Sequence, residues 1–138
     1  MVNDGMDLAL CMIDLENMVL EYAGAINPLY MIRDKKLDII KGNRFSLGQD
    51  EHNRNQVFIN NKIKIQKNDV FYIFSDGYAD QFGGKNGKKF KRGKFKKLLL
   101  NIHDLNINEQ KDILKEIILK WKANLEQVDD ILIIGWKI

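Results

Sequence analysis

VFYIFSDG, residues 70–77, decides the fold: an unbroken apolar and aromatic run leads straight into Ser75, Asp76 and Gly77. The run is too short for a buried helix and rich in β-favouring side chains, which predicts a central strand with the aspartate just past its C-terminal end. A second stretch answers it near the C-terminus. QVDDILIIG, residues 127–135, places Asp129 and Asp130 immediately before another apolar run. If the two strands are antiparallel neighbours, the end of the first lies beside the start of the second and the carboxylates meet. Hard divalent cations such as Mg²⁺ and Mn²⁺ take oxygen ligands and keep several waters, so a few aspartates suffice to hold them. Taken singly, Asp76-Gly77 reads first as a strand-ending turn and Asp129-Asp130 as a solvated loop, ahead of a metal site.

Upstream of this strand the pattern is of short strands and turns. Residues 8–13 are continuously apolar, predicting a strand buried on both faces, and the polar turn 14–17 leads into residues 18–23 as the other arm of a hairpin. Gly24 and Asn27-Pro28 break that arm. Residues 29–33 and 37–41 form a second hairpin across Asp34-Lys35-Lys36, and residues 42–55 read as a surface loop. Ile63 and Ile65 alternate with lysines in a half-exposed strand. Beyond Gly93 the period changes: Phe95, Leu98, Leu99 and Ile102 recur at helical spacing, as do Leu114, Ile117, Ile118, Trp121 and Leu125. Asn106 with Glu109 three residues later marks the start of the second helix, and residues 131–138 close the chain as a buried strand. Strands first and helices afterwards predict an α+β fold built on antiparallel sheet.

With 138 residues, 45% of them hydrophobic and 30% charged, the chain is read as one domain spanning 1–138 with enough apolar surface for a core. No apolar run approaches the roughly 20 residues a membrane helix needs, and no secretory leader is recognisable, so a cytoplasmic location without membrane contact is expected. A lone cysteine, Cys11, excludes an internal disulfide and a cysteine-based zinc cluster; inside LALCMI it reads as a buried thiol. His52 and His103 are isolated and read as surface positions. Trp121 and Trp136 read as packing residues.

The net charge is only +3, yet residues 85–97 hold eight basic side chains and no acidic one. Three readings are open: a solvated glycine-rich loop with snorkelling lysines, a flap that draws a phosphorylated, acidic protein through Lys88 and Lys89, or a nucleic-acid surface. The last needs stacking aromatics, and Phe90 and Phe95 read instead as core, so no nucleic-acid partner is expected.

IFSDGYADQFGG (residues 73–84) with KKF (88–90), QVDDILIIG (127–135), DGMDLALCMID (4–14) and YAGAINPLY (22–30) together resemble the late motifs of SpoIIE/RsbU-type phosphatases, a bacterial group of the PPM superfamily of Mg²⁺- or Mn²⁺-dependent serine/threonine phosphatases. The resemblance spans essentially the whole chain. It implies an antiparallel two-sheet sandwich flanked by helices. It also implies that Asp76 and Asp129 are the metal ligands carrying the chemistry, with Asp130 in a supporting position beside them. Gly77 would let the backbone pass close to the metal, and Asp80 would support the site from behind. Asp4 begins a core strand and is not assigned to metal. Relatives carry a Gly-Asp motif and an Asp-x-x-Gly-His-Gly motif ahead of this region, and nothing in 1–138 matches either. The chain is therefore expected to be the C-terminal part of a phosphatase domain whose two-metal centre is completed by preceding residues. The activity implied is hydrolysis of phosphoserine or phosphothreonine on a STAS-type regulator by a metal-activated water, in a parent whose sensor, and any membrane anchor, lies upstream. The rival expectation is a non-catalytic module that binds a regulator or forms a homodimer.

Overall fold

Residues 70–74 form the inner strand expected of them, as the computed structural model of the chain shows; it describes residues 5–48 and 56–138. His52 and Asp4 lie outside the described residues. In chain order the elements are β1 (Leu8–Asp14), β2 (Val19–Ala25), β3 (Leu29–Arg33), β4 (Lys36–Ile40), β5 (Asn61–Lys64), β6 (Val70–Phe74), α1 (Gly77–Asp80), β7 (Phe82–Gly83), β8 (Lys88–Lys89), α2 (Arg92–Ile102), α3 (Ile107–Lys122) and β9 (Ile133–Lys137). One sheet has the order β1-β2-β5, a second β4-β3-β6-β9, and β7 and β8 make a small hairpin; every pairing within them is antiparallel.

Strand alternation divides the core into two layers. Leu29, Met31 and Phe71 point toward the first sheet and meet Leu20, Tyr22 and Ile65, with Ala9, Cys11, Ile63 and Trp136 packed at the margin. Tyr30, Ile32, Val70, Tyr72 and Phe74 point the other way, against Phe95, Leu99 and Ile102 of α2 and Leu114 and Ile118 of α3. The order is sheet, sheet, helices. β3 and β6 are covered on both faces, which is why neither shows polar alternation. Burial also pushes the Cys11 thiol up to about 11, so it stays protonated and inert near neutral pH.

Local chemistry accounts for the connections. Asp34 and Lys35 both adopt left-handed φ (49° and 61°) between the paired Arg33 and Lys36, a two-residue turn whose twist suits a hairpin. Asn106 and Glu109 form the reciprocal capping box that their spacing predicts.

The structure corrects several expectations. β1 is not buried on both faces: Leu10 and Met12 are 62% and 60% exposed, because nothing among the described residues covers the outer face of this edge strand. β9 is likewise an edge strand, with Ile134 47% exposed, and it begins at Ile133 rather than at residue 131. α3 stops at Lys122, where Ala123 leaves the helical region with φ 47°, so Leu125 is not on the helical stripe. His103 is buried rather than at the surface. It caps α2 with Nδ1 2.6 Å from the Leu100 carbonyl oxygen, and Gln110 Nε2 of α3 donates to its backbone carbonyl (3.1 Å).

Candidate metal centre

Antiparallel pairing of β6 with β9 brings the two acidic motifs to one end of the second sheet. Phe74, the last residue of β6, sits opposite Ile133, the first of β9, so the segments carrying Asp76 and Asp129 leave the sheet side by side. Ser75 joins them. Its N–H donates to the Leu132 carbonyl (3.0 Å), its hydroxyl donates to the Asp130 carbonyl (2.7 Å), and the Leu132 N–H donates to its Oγ (3.0 Å). Sequence reasoning did not single out Ser75; a small hydroxyl residue between a buried strand and an Asp-Gly pair was the available signal.

Gly77 permits the close approach. A Cβ at this position would lie 2.2 Å from the Asp130 carbonyl oxygen and 2.8 Å from its carbon. The constraint is therefore the neighbouring backbone segment, and any larger residue would push Asp129-Asp130 away from Asp76.

Asp76 stands at the N-cap of α1, yet its side chain accepts no capping hydrogen bond. The carboxylate is left available. Its pKa is raised, first by desolvation, then by the negative charge of Asp129 and of Asp80, with a carboxyl–carboxyl contact to Asp129 adding to the effect. Two carboxylates held face to face without a counter-charge repel each other, which is the electrostatic condition a divalent cation relieves. Asp129 is fixed on its own side by the Asp130 N–H, which donates to Asp129 Oδ1 (2.7 Å), and by Gln127 Nε2, which donates to the Asp129 carbonyl (2.9 Å). Asp130 contributes its backbone carbonyl to Ser75, and its carboxylate is not among the charges acting on Asp76.

Asp80, at the end of α1, forms an ion pair with Lys89 (3.0 Å). This ties the β7–β8 hairpin to the turn that bears Asp76. Lys88 is exposed on the same hairpin, and no ion pair holds it among the described residues. Buried Gln81 is a second residue the sequence did not flag. Its Nε2 donates to the Glu126 carbonyl (2.9 Å), while its own carbonyl accepts from Trp121 Nε1 (3.0 Å) and from the Phe90 N–H (2.9 Å). The hairpin, the end of α3 and the approach to Asp129 are thereby joined at one residue, through its backbone carbonyl and its side-chain amide nitrogen.

The donor set fits hard cations, being all carboxylate and carbonyl oxygen. It is small: among the described residues no three His, Cys, Asp or Glu side chains converge as a metal-holding group. The face-to-face pair has a consequence in the metal-free chain. Because the folded-state pKa of Asp76 lies above its unfolded value, folding disfavours the ionised form, and the associated stability is present in acid and lost as pH rises through the folded pKa. Asp76→Asn should thus melt slightly higher than the parent at neutral pH without metal, with the gap closing below about pH 4, the ordinary carboxylate range. Thermal melts from pH 3 to 8 check this; a variant less stable than the parent at neutral pH would show that Asp76 is not under repulsion.

The family model for Stage II sporulation protein E (SpoIIE) matches residues 3–138. The chain belongs to the SpoIIE family. Among solved structures it is similar to the SiaA-PP2C domain of Pseudomonas aeruginosa, with 25% identity and a TM-score of 0.87 over 96% of this chain and 51% of that one. The phosphatase domain of the cell fate determinant SpoIIE from Bacillus subtilis aligns with 16% identity and a TM-score of 0.64 over 96% of this chain and 58% of that one. The photosystem II phosphatase PBCP aligns with 13% identity and a TM-score of 0.55 over 83% and 44%. No curated protein matches significantly. The fold is that of PP2C-type phosphatase domains, as the SpoIIE/RsbU motifs implied, and the chain spans about half the length of the structures it matches. No helix among the described residues is long and apolar enough to cross a membrane.

Proposed function

We propose that the chain contributes one side of the active site of a metal-dependent protein phosphatase acting on phosphoserine or phosphothreonine. The observation that carries the reading is the β6–β9 pairing, which delivers Asp76 and Asp129 to the same end of the sheet. Asp76 and Asp129 would hold Mg²⁺ or Mn²⁺, with Asp130 beside them and the remaining ligands of a two-metal centre supplied by the part of the domain that this chain does not span. When bound, such ions polarise a phosphoryl oxygen and activate a water for attack on phosphorus.

The chain's own residues do the positioning. Ser75 and Gly77 hold the two acidic segments at contact distance, and Asp80 holds Lys89 on the hairpin above α1. A cavity of about 310 Å³ on that hairpin is lined by Lys85, Lys88, Lys89, Lys91 and Lys94, with Lys94 Nζ 4.0 Å from the Trp121 ring centroid. This supports the flap reading of the basic run, in which lysines draw a phosphorylated, acidic protein toward the carboxylates. A STAS-type regulator in a bacterial signalling pathway is the substrate class proposed, in keeping with the family.

The test is phosphate release from phosphoserine peptides by the full-length parent and by this chain, with Mn²⁺ and with chelator. Mn²⁺-dependent release by the parent that falls at least a hundredfold in Asp76→Asn and in Asp129→Asn is expected. Release by the parent that ignores both substitutions would overturn the assignment.

A further inference from the structure

A second basic pocket lies on the other flank of α2. It has a volume of about 310 Å³, and Lys41, Arg44, Arg92 and Lys96 line it over a floor that includes Tyr30 and Ile39. Among the described residues no acidic one lines it, and none of the four cations forms an ion pair. Four like charges around one concavity repel each other unless an anion offsets them.

The backbone around the pocket is held firmly. The Asn43 N–H donates to the Gly24 carbonyl (2.7 Å), and the Ile26 N–H donates to the Asn43 carbonyl (2.8 Å). Gly42 approaches so closely that a Cβ there would lie 2.7 Å from the Gly24 carbonyl oxygen. Lys41 and Arg44 therefore flank a pinned segment. On the other wall, the Lys91 N–H donates to the Ala79 carbonyl (2.7 Å), which fixes the start of α2, and hence Arg92, against α1.

Position relative to the carboxylates gives the pocket its meaning. Antiparallel pairing of β3 with both β4 and β6 sets the start of β3, the end of β4 and the end of β6 at one end of the sheet. The pocket thus opens at the end where Asp76 and Asp129 sit, in the same layer as the helices. The Tyr30 ring in its floor meets the Phe74 ring edge-on at 4.7 Å, two residues before Asp76. From β6 across β3 to β4 is two inter-strand spacings, or about 10 Å, which an extended peptide covers in about three residues.

We propose that this pocket is an anion subsite for the substrate peptide, receiving an acidic or second phosphorylated side chain about three residues from the phosphoserine at Asp76 and Asp129. Arg44 and Arg92 supply planar, multi-donor groups suited to a carboxylate or phosphate, and the apolar floor accommodates the stem of that side chain. The inference rests on the phosphatase reading for what occupies the carboxylate end.

The experiment is fluorescence anisotropy on this chain in Mn²⁺, using labelled phosphoserine peptides with glutamate three residues before the phosphoserine, glutamate three residues after it, or alanine at both positions. One glutamate peptide should bind about tenfold more tightly than the alanine peptide. The double variant Arg44→Gln, Arg92→Gln should erase that preference, while Lys97→Gln, Lys111→Gln should preserve it. Equal binding of all three peptides, or equal loss of preference in both double variants, overturns the subsite. Arginine-dependent binding to anionic phosphatidylserine vesicles with no peptide preference also overturns it, by identifying a membrane surface as the occupant. The two readings fail separately: Mn²⁺-dependent turnover without a glutamate preference removes only the subsite. A glutamate preference that depends on the two arginines, in a parent without Mn²⁺-dependent turnover, removes only the phosphatase assignment.

Discussion

Phe95→Ala is expected to lower the melting temperature by roughly 10 °C, the largest stability loss at any one position considered. Phe95 is fully buried, and its ring contacts Phe74 edge-on at 4.9 Å and Tyr78 at 4.9 Å. Truncation removes the apolar transfer energy and leaves a cavity that rigid neighbours cannot close, a loss of about 3–5 kcal/mol. A domain of this size has about 5–15 kcal/mol in total and shifts by about 2–4 °C per kcal/mol. Phe74 and Tyr78 each lie two residues from Asp76, so the cavity opens beside the candidate site and should weaken Mn²⁺ binding as well as folding. Phe95→Leu, which keeps most of the volume, should lose about 1 kcal/mol. Differential scanning calorimetry of the three proteins decides the matter. A Phe95→Ala transition within 2 °C of the parent would mean that α2 is not held to the sheet by this ring.

Gly77→Ala is expected to separate the two acidic segments. The added Cβ would meet the Asp130 carbonyl group, and a backbone atom cannot move aside as a side-chain tip can. Overpacking of this kind costs about 1–3 kcal/mol. Relief comes by shifting Asp129-Asp130 outward, so Mn²⁺ affinity measured by calorimetry should fall at least tenfold, more than stability alone would suggest. Gly93→Ala is the matched control: nothing lies within 4 Å of its Cβ, and it sits in the first turn of α2, where alanine is the better helix former. Gly93→Ala should be neutral or slightly stabilising with Mn²⁺ binding unchanged. If the two glycine variants behave alike, close approach at Gly77 is not what sets the site.

Much of this was legible before any coordinates. The unbroken apolar run at residues 70–74 identified a central strand, and residues 29–33 one arm of a hairpin, because apolar runs bounded by turn residues are local features of the chain. The helical stripe through Phe95 and Leu99 and the Asn106–Glu109 pair located α2 and the start of α3, since side-chain spacing and capping are local properties of the chain. Residues 8–13 misled for the same local reason. An apolar run shows which side chains avoid polar groups, not how many neighbours the strand has, and β1 proved to be an edge with Leu10 and Met12 exposed.

By itself, then, the sequence determined the longer strands and the two long helices, their order and the motifs that resemble the SpoIIE family, but not the short α1, β7 and β8. Only the tertiary structure decided that β6 and β9 are antiparallel neighbours, that Ser75 and Gly77 lie against the Asp130 backbone and so bring the two acidic segments together, and that Lys89 is tied to Asp80. It alone also gathered Lys41 and Arg44 with Arg92 and Lys96 around one pocket. The physical reason is range. Periodicity and caps act within a few residues, whereas these contacts join segments far apart in the chain and exist only once sheet order and helix packing have placed them together.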